Sequence, residues 1–113
     1  MLNSKEKYEQ YYDSAIVEFN NQKFGLARSG FILSRDLGIK DSVFLAKVNY
    51  YIDTTTLEID FENYFEKGTK FLKLENISLA KSSFLNAQKL KPNDLKVSKT
   101  INSILEYQRY FIK

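Results

Sequence analysis

Residues Phe61–Asp94, FENYFEKGTKFLKLENISLAKSSFLNAQKLKPND, carry the pattern that decides the fold. Phe61, Tyr64, Phe65, Phe71 and Leu72 recur at helical spacings that place them on one side of a helix. After a break at Glu75-Asn76, a second helix carries Ile77, Ala80, Phe84 and Ala87 on one stripe and Leu79, Ser83 and Leu90 on another. Pro92 cannot continue that helix, and Asn93 or Asp94 caps the one that follows. Gly68 and Ala80 are small where two antiparallel helices would cross closely. Tyr64, Phe71 and Phe84 are bulky enough to fill the space around such a crossing.

Outward from this stretch the chain keeps the same character. Asn3 caps a first helix, with Glu6 reaching back as in a capping box, and Tyr8, Tyr11, Tyr12, Ala15, Ile16 and Phe19 form its apolar side. A break falls at Asn20–Lys23, where asparagine tolerates the left-handed conformation that ends helices. The second helix has two apolar stripes, Phe24, Ala27, Phe31 and Ser34 beside Leu26, Gly30, Leu33 and Leu37, and Gly38-Ile39 closes it. Asp41 caps a third helix bearing Phe44, Leu45, Val48, Tyr51 and Ile52. Thr54-Thr55-Thr56 are poor helix formers, and Thr55 with Glu58 makes another capping box, so a new helix is expected to start here. The last helix shows a single stripe, Val97, Ile101, Ile104, Leu105, Gln108, Phe111 and Ile112. The expectation is an all-α chain of about six helices with no strand.

Tyr64, Gly68, Phe71, Ala80, Phe84, Ala87 and Pro92 stand at the offsets of the tetratricopeptide repeat, and Phe61–Asp94 resembles one such repeat. Residues 8–41 resemble a weaker copy: Tyr11, Ala15, Phe19, Phe24, Ala27 and Phe31 follow a similar pattern. There Phe19 falls one residue late, Ser34 stands where the family prefers Ala, and Ile39 where it prefers Pro. Ala15 and Gly68 are 53 residues apart, whereas a plain tandem would place them 34 apart. The surplus is the third helix, about 41–54, which a shift of 53 lays on the sixth, about 94–112, with Asp41 on Asp94, Val48 on Ile101 and Ile52 on Leu105. The resemblance implies one domain over 1–113, a right-handed superhelix of antiparallel hairpins, each hairpin followed by a covering helix.

Function follows from the resemblance. In this family partners lie in a concave groove lined by the first helix of each repeat. Here that groove would hold Glu9, Tyr12, Ile16, Phe19 and Asn20, then Glu62, Phe65, Thr69, Leu72 and Lys73. One reading is an apolar groove for a partner protein's helix or extended segment, anchored by aromatics. The other is that the third or sixth helix fills the groove and these residues are core. Some members clamp a C-terminal carboxylate with Lys and Asn along the groove. The acidic and apolar residues at those places here, Tyr12, Asp13, Ile16, Phe65, Glu66 and Thr69, speak against that ligand. The expected role is a non-catalytic adaptor or assembly module. Alternatives are a small secretion-type chaperone of similar architecture and a self-assembling structural unit, a homo-oligomer.

Composition narrows the remaining classes. The 113 residues include no histidine and no cysteine, which removes the commonest general base, the thiolate nucleophile and the commonest metal ligands. The glycines, Gly25, Gly30, Gly38 and Gly68, are scattered, so no phosphate-cradling loop exists, and neither cofactor nor catalytic residue is expected. Asp53, Glu58, Asp60, Glu62 and Glu66 lack the ligand spacing of a calcium loop; carboxylates near a helix start account for them. The net charge of +3 is a mild excess with only three arginines, so the Lys67–Lys73 and Lys89–Lys99 clusters are expected to be solvated faces and not a nucleic-acid site. No apolar run reaches the length of a membrane span, and the polar start lacks a signal-peptide core. The expectation is a cytoplasmic chain or a domain of something longer.

Overall fold

The computed structural model describes residues 3–111, which form five α-helices and no strand. They are α1 (Ser4–Asn20), α2 (Phe24–Asp36), α3 (Ser42–Lys73), α4 (Ile77–Leu90) and α5 (Leu95–Phe111). Ile112, the last residue of the stripe expected on the final helix, lies outside the described residues.

The count of six helices is corrected to five, because the third and fourth expected helices are one helix of 32 residues. The threonines do not start a helix. The Thr55 hydroxyl donates back to the Tyr51 and Ile52 carbonyls at 2.8 and 3.0 Å, and the Thr56 hydroxyl to Ile52 at 2.7 Å. A hydroxyl that finds an acceptor one turn back sits inside a helix without exposing a polar atom. Thr55 is fully buried in this way, and Arg28 Nε donates to Thr56 Oγ1 at 2.7 Å. Thr55 and Glu58 lie inside α3 and do not mark the start of a helix.

The chain divides into two compact units, Met1–Ile59 and Asp60–Lys113, and the boundary falls inside α3. Several backbone features recur at a 53-residue interval. Helices α2 and α4 begin 53 residues apart, at Phe24 and Ile77, and so do α3 and α5, at Ser42 and Leu95. The turns correspond as well. After α1, Lys23 N–H bonds to the Glu18 carbonyl and Gln22 N–H to Phe19; 53 residues on, Asn76 N–H bonds to Phe71 and Glu75 N–H to Leu72. Both are Schellman closures. Their left-handed residues are Gln22 (φ 61°) and Glu75 (φ 60°), so neither Asn20 nor Asn21 takes that conformation. Asp41 and Asp94 cap the covering helices: Asp41 Oδ1 accepts from Val43 and Phe44 N–H, and Asp94 Oδ1 from Val97 N–H.

In the first unit the core joins Tyr8, Tyr12 and Ala15 of α1, Ala27 and Phe31 of α2, Ile39, and Val48 and Ile52 of α3. Helix α2 approaches α1 at Gly30, where an added Cβ would stand 2.8 Å from that of Ala15. Buried Ser34 ties the same pair, its hydroxyl donating to the Tyr8 carbonyl at 2.7 Å. That bond gives the buried hydroxyl of Ser34 its partner. In the second unit Ala80, Phe84 and Ala87 of α4 pack with Val97, Ile101 and Ile104 of α5, flanked by Phe61, Tyr64, Phe65, Phe71 and Leu72 of α3. Gly68 faces the Phe84 ring, where a Cβ would lie 2.7 Å from Cζ.

Candidate functional site

The two units use the corresponding faces of their first helices differently. In the first, Tyr12 is buried, its ring 5.6 Å from Phe31, 5.0 Å from Phe44 and 6.0 Å from Tyr51. Burial pushes its phenol above the ordinary tyrosine range, and the Lys47 ammonium, 5.2 Å over the ring, offsets part of that rise. Phe19 meets Tyr51 edge-on at 5.2 Å, and Ile16 packs against the same core. Glu9 is half-buried and Asn20 exposed. The N-terminal part of α3 therefore lies on the α1 side chains assigned to a groove, and it does so with aromatic rings.

In the second unit the covering helix is α5, and it brings smaller residues. The positions 53 beyond Phe44 and Tyr51 are Val97 and Ile104; those beyond Phe19 and Phe24 are Leu72 and Ile77. Four aromatic rings have become four aliphatic side chains, and Tyr50 has become Ser103. The consequence is an apolar cleft of about 310 Å³ lined by Leu72, Ile77, Thr100, Ser103, Ile104 and Tyr107. In the first unit the same places hold Phe19, Phe24, Tyr50 and Tyr51, whose rings meet one another at 5.2 to 5.6 Å. A second cleft of about 230 Å³ lies between Phe61, Glu62, Phe65 and Glu66 of α3 and the Asp94–Lys96 start of α5.

The five groove positions of this unit are thus split. Phe65, half-buried and edge-on to Phe84 at 5.2 Å, lines the smaller cleft with Glu62. Leu72 lines the larger one. Thr69 spends its hydroxyl on the Phe65 carbonyl at 3.0 Å, and Lys73 is exposed. Ile77, Thr100, Ser103, Ile104 and Tyr107 were not singled out from the sequence as lining residues. For Ile77, Ser103 and Ile104 the signal was the exchange of Phe24, Tyr50 and Tyr51 for smaller residues across the 53-residue shift; Thr100 and Tyr107, which answer to Lys47 and Thr54, carried no such signal.

Several lysines of the basic clusters lie over the chain's own rings. Lys91 Nζ is 4.4 Å from the Phe61 ring centre, Lys96 is 4.5 Å from Phe65, and Lys67 is 5.9 Å from Tyr64. Among the described residues no three acidic side chains converge to hold a metal ion, and no helix is long and apolar enough to cross a membrane. Comparison with protein-family models, curated proteins and solved structures gives no match to this chain.

Proposed function

We propose that this chain is a tetratricopeptide-like, non-catalytic interaction module that holds an apolar partner segment against its second unit. The observation that carries this reading is the unequal filling of two copies of one design. The first unit puts aromatic rings where its covering helix meets its first helix; the second puts Leu72, Ile77, Ser103 and Ile104 there and keeps a cleft. An apolar cleft bordered by a few hydroxyls, here those of Thr100, Ser103 and Tyr107, suits a side chain that buries a ring or branched alkyl group. The spacing of Tyr64, Gly68, Phe71, Ala80, Phe84, Ala87 and Pro92 supports the family reading, as does the absence of room at Gly68.

The test uses Ser103→Tyr, which returns to the cleft the residue found at Tyr50 in the first unit. Ser103 is exposed, so the change leaves the core alone. Affinity capture with mass spectrometry should retain a protein on the wild type and lose it on the variant. Raising salt from about 0.1 to about 0.5 M should leave retention nearly unchanged, because apolar contacts are not screened. Equal capture by both forms would refute the cleft as the binding site, and a steep loss with salt would point to the lysines instead.

A further inference from the structure

Helix α5 carries both the cleft and something that fits it. Thr100, Ser103, Ile104, Tyr107, Tyr110 and Phe111 fall at i, i+3, i+4, i+7, i+10 and i+11, so they share one side of the helix. At the N-terminal end of this stripe the residues are small and edge the cleft. At the C-terminal end they are aromatic and stand out: Tyr107 is 45% exposed, Tyr110 67% and Phe111 75%, with the Tyr107 and Phe111 rings stacked at 5.2 Å. Tyr107 forms one wall of the cleft, and Phe111, a turn further along the same rigid helix, cannot fold back into it. No charged residue falls among the six.

We propose that the partner of this cleft is a second copy of the chain, the two α5 helices pairing antiparallel about a two-fold axis near Leu105-Glu106. The inference rests on the cleft being a binding site, as argued above. In that register Phe111 of each copy lies opposite Thr100 of the other, and Tyr107 opposite Ser103 and Ile104. A two-fold interface presents the same patch on both sides, and a stripe that is small at one end and aromatic at the other is complementary to itself only when antiparallel. The second copy supplies to the second unit what Phe19, Phe24 and Tyr51 supply within the first. Each dimer holds two ring-in-cleft contacts, the aromatic anchoring that dominates interface energetics. Leu105, 44% exposed on a neighbouring stripe, lies beside the axis and extends the contact.

The experiment is sedimentation velocity on the full chain over a range of concentrations, with Ser103→Tyr to block the cleft and Phe111→Ala to remove the plug. Both positions are exposed, and circular dichroism verifies that each variant keeps its helix content. The wild type should show a concentration-dependent dimer. Each variant alone breaks both contacts and should weaken association at least about tenfold, the effect of losing buried aromatic anchors. A mixture of the two variants restores one contact, since the open cleft of Phe111→Ala meets the intact ring of Ser103→Tyr. The mixture should therefore associate more tightly than either variant alone. A wild type that stays monomeric, or a mixture no tighter than its components, overturns the proposal. If the wild type is monomeric while Ser103→Tyr loses a captured foreign protein, the cleft stands and the second copy falls. If Ser103→Tyr alters neither association nor capture, both readings fall.

Discussion

Adding one methyl group at Gly68 tests how closely the helices of the second unit meet. A Cβ there would stand 2.7 Å from Cζ and 2.8 Å from both Cε atoms of Phe84. That is about 1 Å inside ordinary carbon–carbon contact. The ring cannot swing away freely, because Phe84 is 1% exposed and meets Phe65 edge-on. Forcing such a contact costs about 1–3 kcal/mol. Gly68 also lies inside α3, where replacing glycine with alanine returns about 1 kcal/mol of helix propensity. The net expectation for Gly68→Ala is a loss of about 1 kcal/mol, which lowers the melting temperature by about 4 °C in a chain of this size. Gly25→Ala is the control: nothing lies within 4 Å of its added Cβ, so only the propensity gain of about 0.5 kcal/mol should appear. Thermal and urea unfolding followed by circular dichroism measure both. Combining Gly68→Ala with Phe84→Leu should cost about 1 kcal/mol less than the two changes summed, since the shorter side chain removes the clash. A Gly68→Ala protein as stable as the wild type, or strict additivity in the double variant, would refute the close approach.

Thr56→Pro distinguishes one continuous helix from two. A helix capped at Thr55 would accept proline at its first position, whereas the interior of α3 should lose about 3 kcal/mol, read from the urea midpoint. Ser34→Ala should cost about 1 kcal/mol in the same assay by deleting the bond to the Tyr8 carbonyl; an unchanged midpoint would show that this bond adds nothing net. Tyr12 makes the first unit sensitive to alkali. Its folded phenol holds its proton to higher pH than the unfolded one, which titrates near the ordinary value of about 10. The stability it contributes is complete below that unfolded value and is lost as pH rises through the folded one. Melting curves across this alkaline range should fall less steeply for Tyr12→Phe, and equal slopes would count against the assignment.

Helix positions and caps were written plainly in the residues. Asn3, Asp41, Asn76 and Asp94 all accept backbone N–H bonds where the sequence placed them, because a short polar side chain ahead of an amphipathic stretch has few other uses. Thr54–Thr56 misled for a physical reason. Propensity and a capping-box pattern are local, while burial of Thr55 and the Arg28 bond to Thr56 are tertiary, and the tertiary terms decided. The asparagines of the first turn misled in another way: the closure of the turn fixes which residue is left-handed, and it fell on Gln22, one place beyond Asn21. The candidate site was half legible. Phe65 and Leu72 follow from the repeat resemblance, but a cleft is a difference between filled and unfilled volume. Only by setting Phe19, Tyr50 and Tyr51 against Leu72, Ser103 and Ile104 does that difference become readable without coordinates.

Domains usually part at exposed linkers, where a gene can be cut or a protease can enter. The two units of this chain part inside α3, between Ile59 and Asp60, where no loop exists. Fragments made at that point would each carry a raw helical end, four carbonyls on one piece and four N–H groups on the other without their partners. Expressing either half alone would therefore need extra residues borrowed from the other half to let the severed helix fray harmlessly. Limited digestion of the intact chain should open it at the turns around Gln22, Gly38 and Glu75 before it finds the unit boundary.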